Sequence, residues 1–369
     1  MHLKYRNIND AFRGLVGGIH SGKIPTYVCA SRYGEVAQVE EPVILTYSRP
    51  LERVLFNAAR DVNPFSLLYE SLWMLDGRND VAPLTYYTKR FAEFSDDRET
   101  FNGAYGARWR RAEHFEWSDT GDAYRSEVVD QLQVLIDHLR AKPESRRAVL
   151  QMWNVEDDLL KIDSSRDVCC NLSVCFSVEQ GRGDNPEFLN MTVFNRSNDL
   201  IWGVLGANYV TFSVLQEYVA AHLGLKVGVY NQVTNNLHVY TERFEAEKWL
   251  ACATSGDARH YESLPLVANP KRFDAEMPEF VERHSRDAMA KEYREPFLRG
   301  VAQPMCIAFH HYKRGDLESA LDVAAKIEAD DWRIVCCAWL ERRQERRKAN
   351  RPTPPPSETV HGYDPDLAV

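Results

Sequence analysis

Apolar residues recur at helical spacing in four segments, which predicts helices at 8–20, 64–76, 128–139 and 209–223. Pro64 opens the second segment and Gly77 follows it, which favours a helix start and a helix end there. The fourth segment is largely apolar, so we expect that helix to be buried. Strand-like patterns occupy 148–155, 172–178, 189–194 and 227–240, with strand and loop over 26–47.

Helices and strands mix along the chain without a regular βαβ rhythm and without a G-x-G-x-x-G motif. The pattern therefore predicts an α+β fold rather than a Rossmann fold. Composition changes near the end of the chain, where residues 316–350 read as a charged helical extension. Residues 351–369 hold a proline-rich linker and a short tail. We accordingly divide the chain into 1–315, 316–350 and 351–369.

Charge and composition narrow the possible functions. With 369 residues and a formal charge of −9, the protein lacks the basic field that DNA binding requires. It has no apolar run of 18 residues and no signal-peptide core, so we expect no membrane span and a cytoplasmic location. Eight cysteines without framework spacing indicate reduced thiols. The doublets Cys169-Cys170 and Cys336-Cys337 lack zinc-ligand spacing, so we expect no metal.

The candidate chemistry centres on one thiol, Cys170, which lies in the chain between an arginine pair (Arg146 and Arg147) and Arg196. Nearby positive charge would lower the pKa of a cysteine, and arginines also bind phosphate in a bidentate way. We therefore predict a reactive thiol beside a phosphate site. Glu70, within an apolar helix, is either solvated on the far face or a desolvated acid with a raised pKa.

Two readings compete with this one at the level of single residues. Cys170, His238 and Asp199 could form a hydrolase triad, although that would leave the arginines unexplained. Cys170 could also be a buried small hydrophobic residue without chemistry.

Six motifs, in order from Arg32 to Tyr240, resemble those of the folate-dependent thymidylate synthases and the related pyrimidine nucleotide hydroxymethylases. The central ones are Glu144-Ser145-Arg146-Arg147 with Trp153-Asn154, the cysteine, Arg196-Ser197-x-Asp199 with Gly203, and His238-x-Tyr240. The helical segment Tyr69-Glu70-Ser71-Leu72-Trp73 and the turn Tyr105-Gly106-x-x-Trp109-Arg110 complete the set.

The resemblance implies a large twisted mixed β-sheet flanked by helices, working as a symmetric dimer. It implies a pyrimidine nucleoside monophosphate as substrate and 5,10-methylenetetrahydrofolate as cofactor. Cys170, Glu70, Tyr105 and Asp199 would then be catalytic. The phosphate would be held by Arg32, Arg196 and Ser197 and by Arg146 and Arg147 of the neighbouring subunit. His238 and Tyr240 would touch the sugar, while Trp73, Asp199, Gly203 and Val369 would bind folate.

Departures from the family pattern bear on the substrate and the product. The usual Pro-Cys-His is Cys169-Cys170-Asn171 here, and Gln-Arg-Ser is Asn195-Arg196-Ser197. Counting back from His238 places Asn208 at the base-reading position, whereas counting forward from Gly203 places Ala207 there. We favour Asn208 because the helix that follows keeps its register from the His238 end. We choose Cys170 over Cys169 because its distance from the strand ending at Val178 matches the family spacing.

These departures favour hydroxymethyl transfer to CMP or dCMP through a covalent bond from Cys170 to C6 of the base. The apolar C-terminus, in contrast, resembles that of enzymes making a methyl group. Reductive methylation of dUMP, hydroxymethylation of dUMP and a non-catalytic nucleotide-binding homologue are the alternatives.

Overall fold

The computed structural model describes residues 1–117, 123–179, 181, 187–252, 261, 264–283 and 291–349. The strands are β1 (His2–Tyr5), β2 (Thr26–Ser31), β3 (Gly34–Val39), β4 (Val43–Tyr47), β5 (Ala112–Trp117), β6 (Ala123–Val129), β7 (Val149–Gln151), β8 (Asn171–Glu179), β9 (Phe188–Asn195), β10 (Asn198–Asp199), β11 (Lys226–Thr234) and β12 (Leu237–Tyr240). The α-helices are α1 (Ile8–His20), α2 (Pro64–Leu75), α3 (Val81–Tyr87), α4 (Tyr105–Arg110), α5 (Gln131–Ala141), α6 (Ala207–Leu223), α7 (Ala246–Ala251), α8 (Pro270–Arg283), α9 (Gln303–Lys313), α10 (Leu317–Ala324) and α11 (Asp330–Ala349). Within the described ranges, no helix is long and apolar enough to cross a membrane.

A six-stranded sheet forms the centre of the molecule, with the strand order β1-β4-β11-β9-β8-β7. It is mixed, because β11 runs parallel to β9 and antiparallel to β4. A four-stranded sheet, β10-β12-β3-β2, and the hairpin β5-β6 lie beside it. The predicted α+β class with a mixed sheet flanked by helices is confirmed.

Helix α6 is almost entirely buried, as its apolar composition predicted, and packs against β9, β11 and α2. Helix α4 approaches α2 closely at Gly106, where an added Cβ would lie 2.0 Å from the carbonyl oxygen of Met74. Glycine is therefore required at this crossing. The close packing brings α4, with Tyr105, against α2, with Glu70.

Three predicted elements differ from the structure. The strand expected at 227–240 is two strands, β11 and β12, which belong to different sheets. The strand expected at 148–155 shortens to β7, and a π-helical turn, Val155–Leu159, follows. Val128 belongs to β6, and α5 begins after Asp130, whose side chain accepts from the N–H of Gln133.

The charged segment after residue 315 is not a free solvated helix. Trp332, Cys336, Trp339 and Leu340 of α11 are buried in the same hydrophobic core as the rest of the chain. Its basic end is also paired, because Arg342, Arg343 and Arg346 all contact the carboxylate of Asp61. A division at 315 thus does not coincide with a break in this core, and residues 351–369 lie outside the described ranges.

Candidate active site

The loop that carries Cys170 is fixed by buried carboxylates. The N–H of Cys169 donates to Oδ1 of the fully buried Asp158 (2.9 Å), and Nη2 of Arg108 lies 3.4 Å from Oδ2 of the same residue. The N–H of Gly103 donates to Oδ2 of Asp167 (2.8 Å). These bonds fix the backbone just before Cys170, which directly precedes β8.

Arg196 lies beside the thiol and completes this loop. Its Nε donates to the carbonyl of Cys169 (2.9 Å) and its Nη2 to the carbonyl of Val168 (2.8 Å). The same Nη2 is 3.6 Å from Sγ of Cys170. One guanidinium therefore orients the loop and faces the sulfur.

The expectation of a thiol with a lowered pKa is wrong for the isolated chain. Burial raises the pKa of Cys170; Arg196 lowers it, and the carboxylates of Asp167 and Asp158 raise it further. Arg146 and Arg147 are exposed, at the start of β7. The predicted cluster of three arginines around the sulfur thus reduces, in the described part of one chain, to Arg196.

Of the two neighbouring thiols, Cys170 is the accessible one. Cys169 is buried, its Sγ points to the carbonyl oxygen of Asn171 (3.1 Å), and burial raises its pKa well above the ordinary value. Cys170 is only partly buried. The geometry thus agrees with the choice of Cys170 as nucleophile.

Of the two alternatives for Glu70, a solvated residue or a desolvated acid, the structure supports the desolvated acid. It is 9% exposed on α2, and burial raises its pKa to about 7. Burial raises the pKa of the Tyr105 hydroxyl, and the charges of Cys170 and Glu70 raise it further. Tyr105 is therefore close enough to both groups to feel their charges. Its ring stacks on Phe212, with 5.8 Å between centroids. The structure thus brings thiol, carboxyl and phenol together.

The candidate base-reading amide is part of a tight polar contact. Nδ2 of Asn208 donates to Oδ1 of Asn198 (3.0 Å). A Cβ at Gly203 would lie 1.9 Å from that same oxygen, so a larger residue there would displace the amide of Asn198. Ala207 has no polar side chain and begins α6. Asn208 is the residue of the two that can recognise a base edge.

Asp199 and His238 are neighbours across β10 and β12. Oδ1 of Asp199 accepts from the N–H groups of Ile201 and Trp202, and burial raises the pKa of its carboxyl. Burial lowers the pKa of His238, and Asp199 partly opposes this shift. The ring of Tyr240 lies edge-on, 5.6 Å from that of His238.

A cavity of about 310 Å³ opens beside Asp199. Its lining includes Arg60, Trp202, Tyr240 and Trp249. The guanidinium carbon of Arg60 lies 4.5 Å from the ring centroid of Trp202. Neither Arg60 nor Trp202 was predicted from the sequence, because both lie outside the recognised motifs.

Other predicted residues lie elsewhere. Arg32 is exposed and donates to the carbonyl of Ser165 (2.9 Å). Trp73 is 1% exposed, and its indole donates to Asp80 (3.0 Å), so it offers no open face to a cofactor. Ser197 is half-buried, and Val369 lies outside the described residues.

The hydrolase arrangement finds no support in these contacts. Nδ1 of His238 pairs with Oδ1 of Asn236 (3.0 Å). In the described chain, the polar contacts of the Cys170 sulfur are to Arg196 and to the carbonyl of Val168.

The thymidylate synthase family model matches residues 52–277, and the chain belongs to that family. The relatives that it resembles include a deoxyuridylate hydroxymethyltransferase of Pseudomonas phage M6, 40% identical over 339 residues, which cover 86% of this chain and 89% of that protein. A protein with the same name from Bacillus phage SP01 is 37% identical over 220 residues, covering 60% of this chain and 54% of that protein.

The protein is therefore a one-carbon transferase acting at C5 of a pyrimidine nucleotide, with 5,10-methylenetetrahydrofolate as donor. The cavity beside Asp199 fits such a donor. Oδ2 of Asp199 is buried and unpartnered in the described chain, so it can accept from an N–H of a flat ring. Trp202 is exposed and can stack on that ring, while Arg60 can pair with a carboxylate.

Proposed function

We propose that the protein converts dUMP to 5-hydroxymethyl-dUMP. The observation that carries this is the contact of Arg196 with the Cys170 thiol, near Tyr105, whose pKa the charges of Cys170 and Glu70 both raise. The uracil base rests on the two relatives, both named for deoxyuridylate. The cytosine nucleotides expected from the sequence find no such support, although the Asn208 amide could serve either base.

The chemistry begins with carbon–sulfur bond formation. Sγ of Cys170 adds to C6 of the base, which makes C5 nucleophilic. Because the pKa of this thiol is raised, its proton has to leave as the bond forms. Arg196 stabilises the sulfur anion that develops, since its Nη2 lies 3.6 Å away.

Glu70 is suited to the proton transfers that follow. With a pKa of about 7, it is present in both protonation states near neutral pH. It can therefore help to remove the C5 proton and return a proton elsewhere in the cycle. The folate, when bound, supplies a one-carbon unit at the oxidation level of formaldehyde. Once the C5 proton and tetrahydrofolate have left, C5 carries an exocyclic methylene. Water adds to this methylene and releases one proton, which gives the hydroxymethyl group, and loss of Sγ from C6 restores the C5–C6 double bond.

We further propose that two chains act together. The middle of the sheet face opposite α6 carries uncharged side chains, among them Ile44, Val149, Ser173, Cys175 and Thr192, while Lys4 and Glu179 lie toward its edges. A second copy could cover this face, because uncharged surfaces are readily desolvated. Arg146 and Arg147 lie beside its edge strand β7, where they could reach the phosphate in a neighbouring site.

The reaction is tested by incubating dUMP, dCMP, CMP and UMP, each tritiated at C5, with and without methylenetetrahydrofolate. We expect tritium release from dUMP that depends on the folate, and mass spectrometry should identify a hydroxymethyl product. A methyl product would assign reductive methylation instead. Release from a cytosine nucleotide alone would restore the original expectation, and release from none would indicate a non-catalytic binder.

Subunit sharing has its own test. Cys170→Ser and Arg147→Ala chains should each be inactive alone. Mixed dimers would contain one intact site, so equal mixing should restore about a quarter of wild-type activity if chains exchange freely. No recovery in mixtures shown to contain mixed dimers would refute the shared site.

A further inference from the structure

Three buried polar side chains form one row across the central sheet. Asn171 of β8 is the register partner of Asn195 of β9, and Asn195 is the register partner of Thr234 of β11. Their exposures are 0%, 3% and 1%. A step further along the same strands, the register partners Val174 and Val193 are both apolar and fully buried. The row is thus a polar strip at the border of an apolar face.

The row has more polar atoms than protein partners. Both amide atoms of Asn171, Oδ1 of Asn195 and Oγ1 of Thr234 are buried without a partner in the described part of the chain. The remaining amide group, Nδ2 of Asn195, donates to the carbonyl of Val233 (3.2 Å). Buried polar groups without partners are costly, and proteins usually satisfy them with ordered water.

One end of the row is adjacent in the chain to the reactive thiol. Asn171 directly follows Cys170, and Asn195 directly precedes Arg196. The N–H of Arg196 donates to the carbonyl of Cys170 (3.0 Å), which ties the two segments together. Water held by the row would therefore lie close to the site of carbon–sulfur chemistry.

We propose that Asn171, Asn195 and Thr234 hold a file of ordered water that supplies the hydroxyl group of the product. This inference rests on the proposed hydroxymethyl transfer. The three side chains are positioning residues, because they act through water rather than on the nucleotide.

The step balances without an oxidant or reductant. The oxygen of a water in the file bonds to the exocyclic methylene carbon on C5, while Sγ of Cys170 still bonds C6. The electrons of the methylene double bond move onto the base, as an enolate at C4. One proton of the water leaves to solvent or to Glu70. The enolate then expels the Cys170 thiolate, which restores the C5–C6 double bond.

The experiment uses Thr234→Val, which removes a hydroxyl at nearly constant shape. Turnover is run with an external thiol that competes with water for the methylene and gives a thioether. We expect C5 tritium release within about twofold of wild type, while the ratio of thioether to hydroxymethyl product rises about tenfold. Thr234→Ser keeps the hydroxyl and should restore the wild-type ratio.

Ser213→Ala is the control, because Ser213 of α6 carries a fully buried hydroxyl that lies outside the row and donates to the carbonyl of Val210 (2.9 Å). Its product ratio should not move. Asn195→Leu repeats the test from the neighbouring strand and should also favour the thioether. If the ratio of thioether to hydroxymethyl product is unchanged in Thr234→Val, the proposal is overturned. If Thr234→Val does not fold, an unchanged ratio in Asn195→Leu overturns it instead.

A crystal structure of the wild type gives a readout that needs no variant. Ordered water should bond to Asn171 and Thr234; a dry row would overturn the inference. The two hypotheses fail differently. Wild-type protein that makes no hydroxymethyl product refutes the proposed function, whereas hydroxymethyl product with an unaltered partition in the variants refutes only the water file.

Discussion

Replacing Glu70 by glutamine should stabilise the folded protein at alkaline pH while removing its activity. Burial raises the pKa of this carboxyl from 4.5 to about 7. Below the unfolded pKa the group is protonated in both states and has no effect on stability. Between the two pKa values only the unfolded chain releases its proton, so stability falls by about 1.4 kcal/mol per pH unit. Above the folded pKa the loss levels off at about 3 kcal/mol.

Glutamine has nearly the same shape and carries no charge, so the variant lacks this loss. Urea unfolding of both proteins at pH 5 and pH 8.5, with reversibility checked, measures the difference. We expect the stability difference, variant minus wild type, to grow by roughly 2–3 kcal/mol in favour of the variant as the pH rises. C5 tritium release measures activity in parallel. A stability difference that does not change with pH would refute the assignment of a desolvated carboxyl at Glu70.

Three further predictions follow from the packing and the site. Cys170→Ser should abolish C5 tritium release, whereas Cys169→Ser should retain it; the reverse result would move the nucleophile. Glu217→Gln leaves the buried guanidinium of Arg53 without its carboxylate and should lower the free energy of unfolding by about 3–5 kcal/mol in urea titrations. The double variant Arg53→Met, Glu217→Leu should recover most of that loss, and a failure to recover would mean that the charge itself is not the cause. Gly106→Ala should lower Tm, because the added Cβ would lie 2.0 Å from the carbonyl oxygen of Met74. We expect this overlap to lower the free energy of unfolding by roughly 1–3 kcal/mol. An unchanged Tm would show that α2 and α4 can separate freely.

The spacing of apolar residues and the residues at helix ends predicted the helices that depend on nearby sequence. Helices α2 and α6 follow from apolar spacing, with α2 starting at Pro64 as predicted. The division of 227–240 into β11 and β12 could not be read this way. Both halves have strand character, and the change of partner sheet depends on long-range pairing that periodicity does not encode.

Much of the candidate site could not be predicted from the sequence either, because it also depends on contacts between residues far apart in the chain. Ordered motifs led to Cys170 and Glu70, because each lies in a short recognisable stretch, whereas Asn208 was reached only by counting back from His238. The carboxylate of Asp158 and the cavity residue Arg60 carry no such signal, since an ordinary surface charge looks the same in a sequence. The Asn171–Asn195–Thr234 row exists only through strand register, which joins residues far apart in the chain.

The electrostatics around Cys170 reverse the simplest view of how this thiol is activated. Sequence order suggested that fixed arginines would hold it ionised, yet Asp158 and Asp167 add to the effect of burial in raising its pKa. A protonated thiol reacts poorly with electrophiles, so a raised pKa lowers the intrinsic reactivity of Cys170 before the nucleotide is bound. Arg196 alone lowers the cost of ionisation from within the described chain. In the proposed reaction, attack on the nucleotide is therefore coupled to loss of the thiol proton, which adds a proton transfer at the first bond-forming step to those assigned to Glu70 later in the cycle.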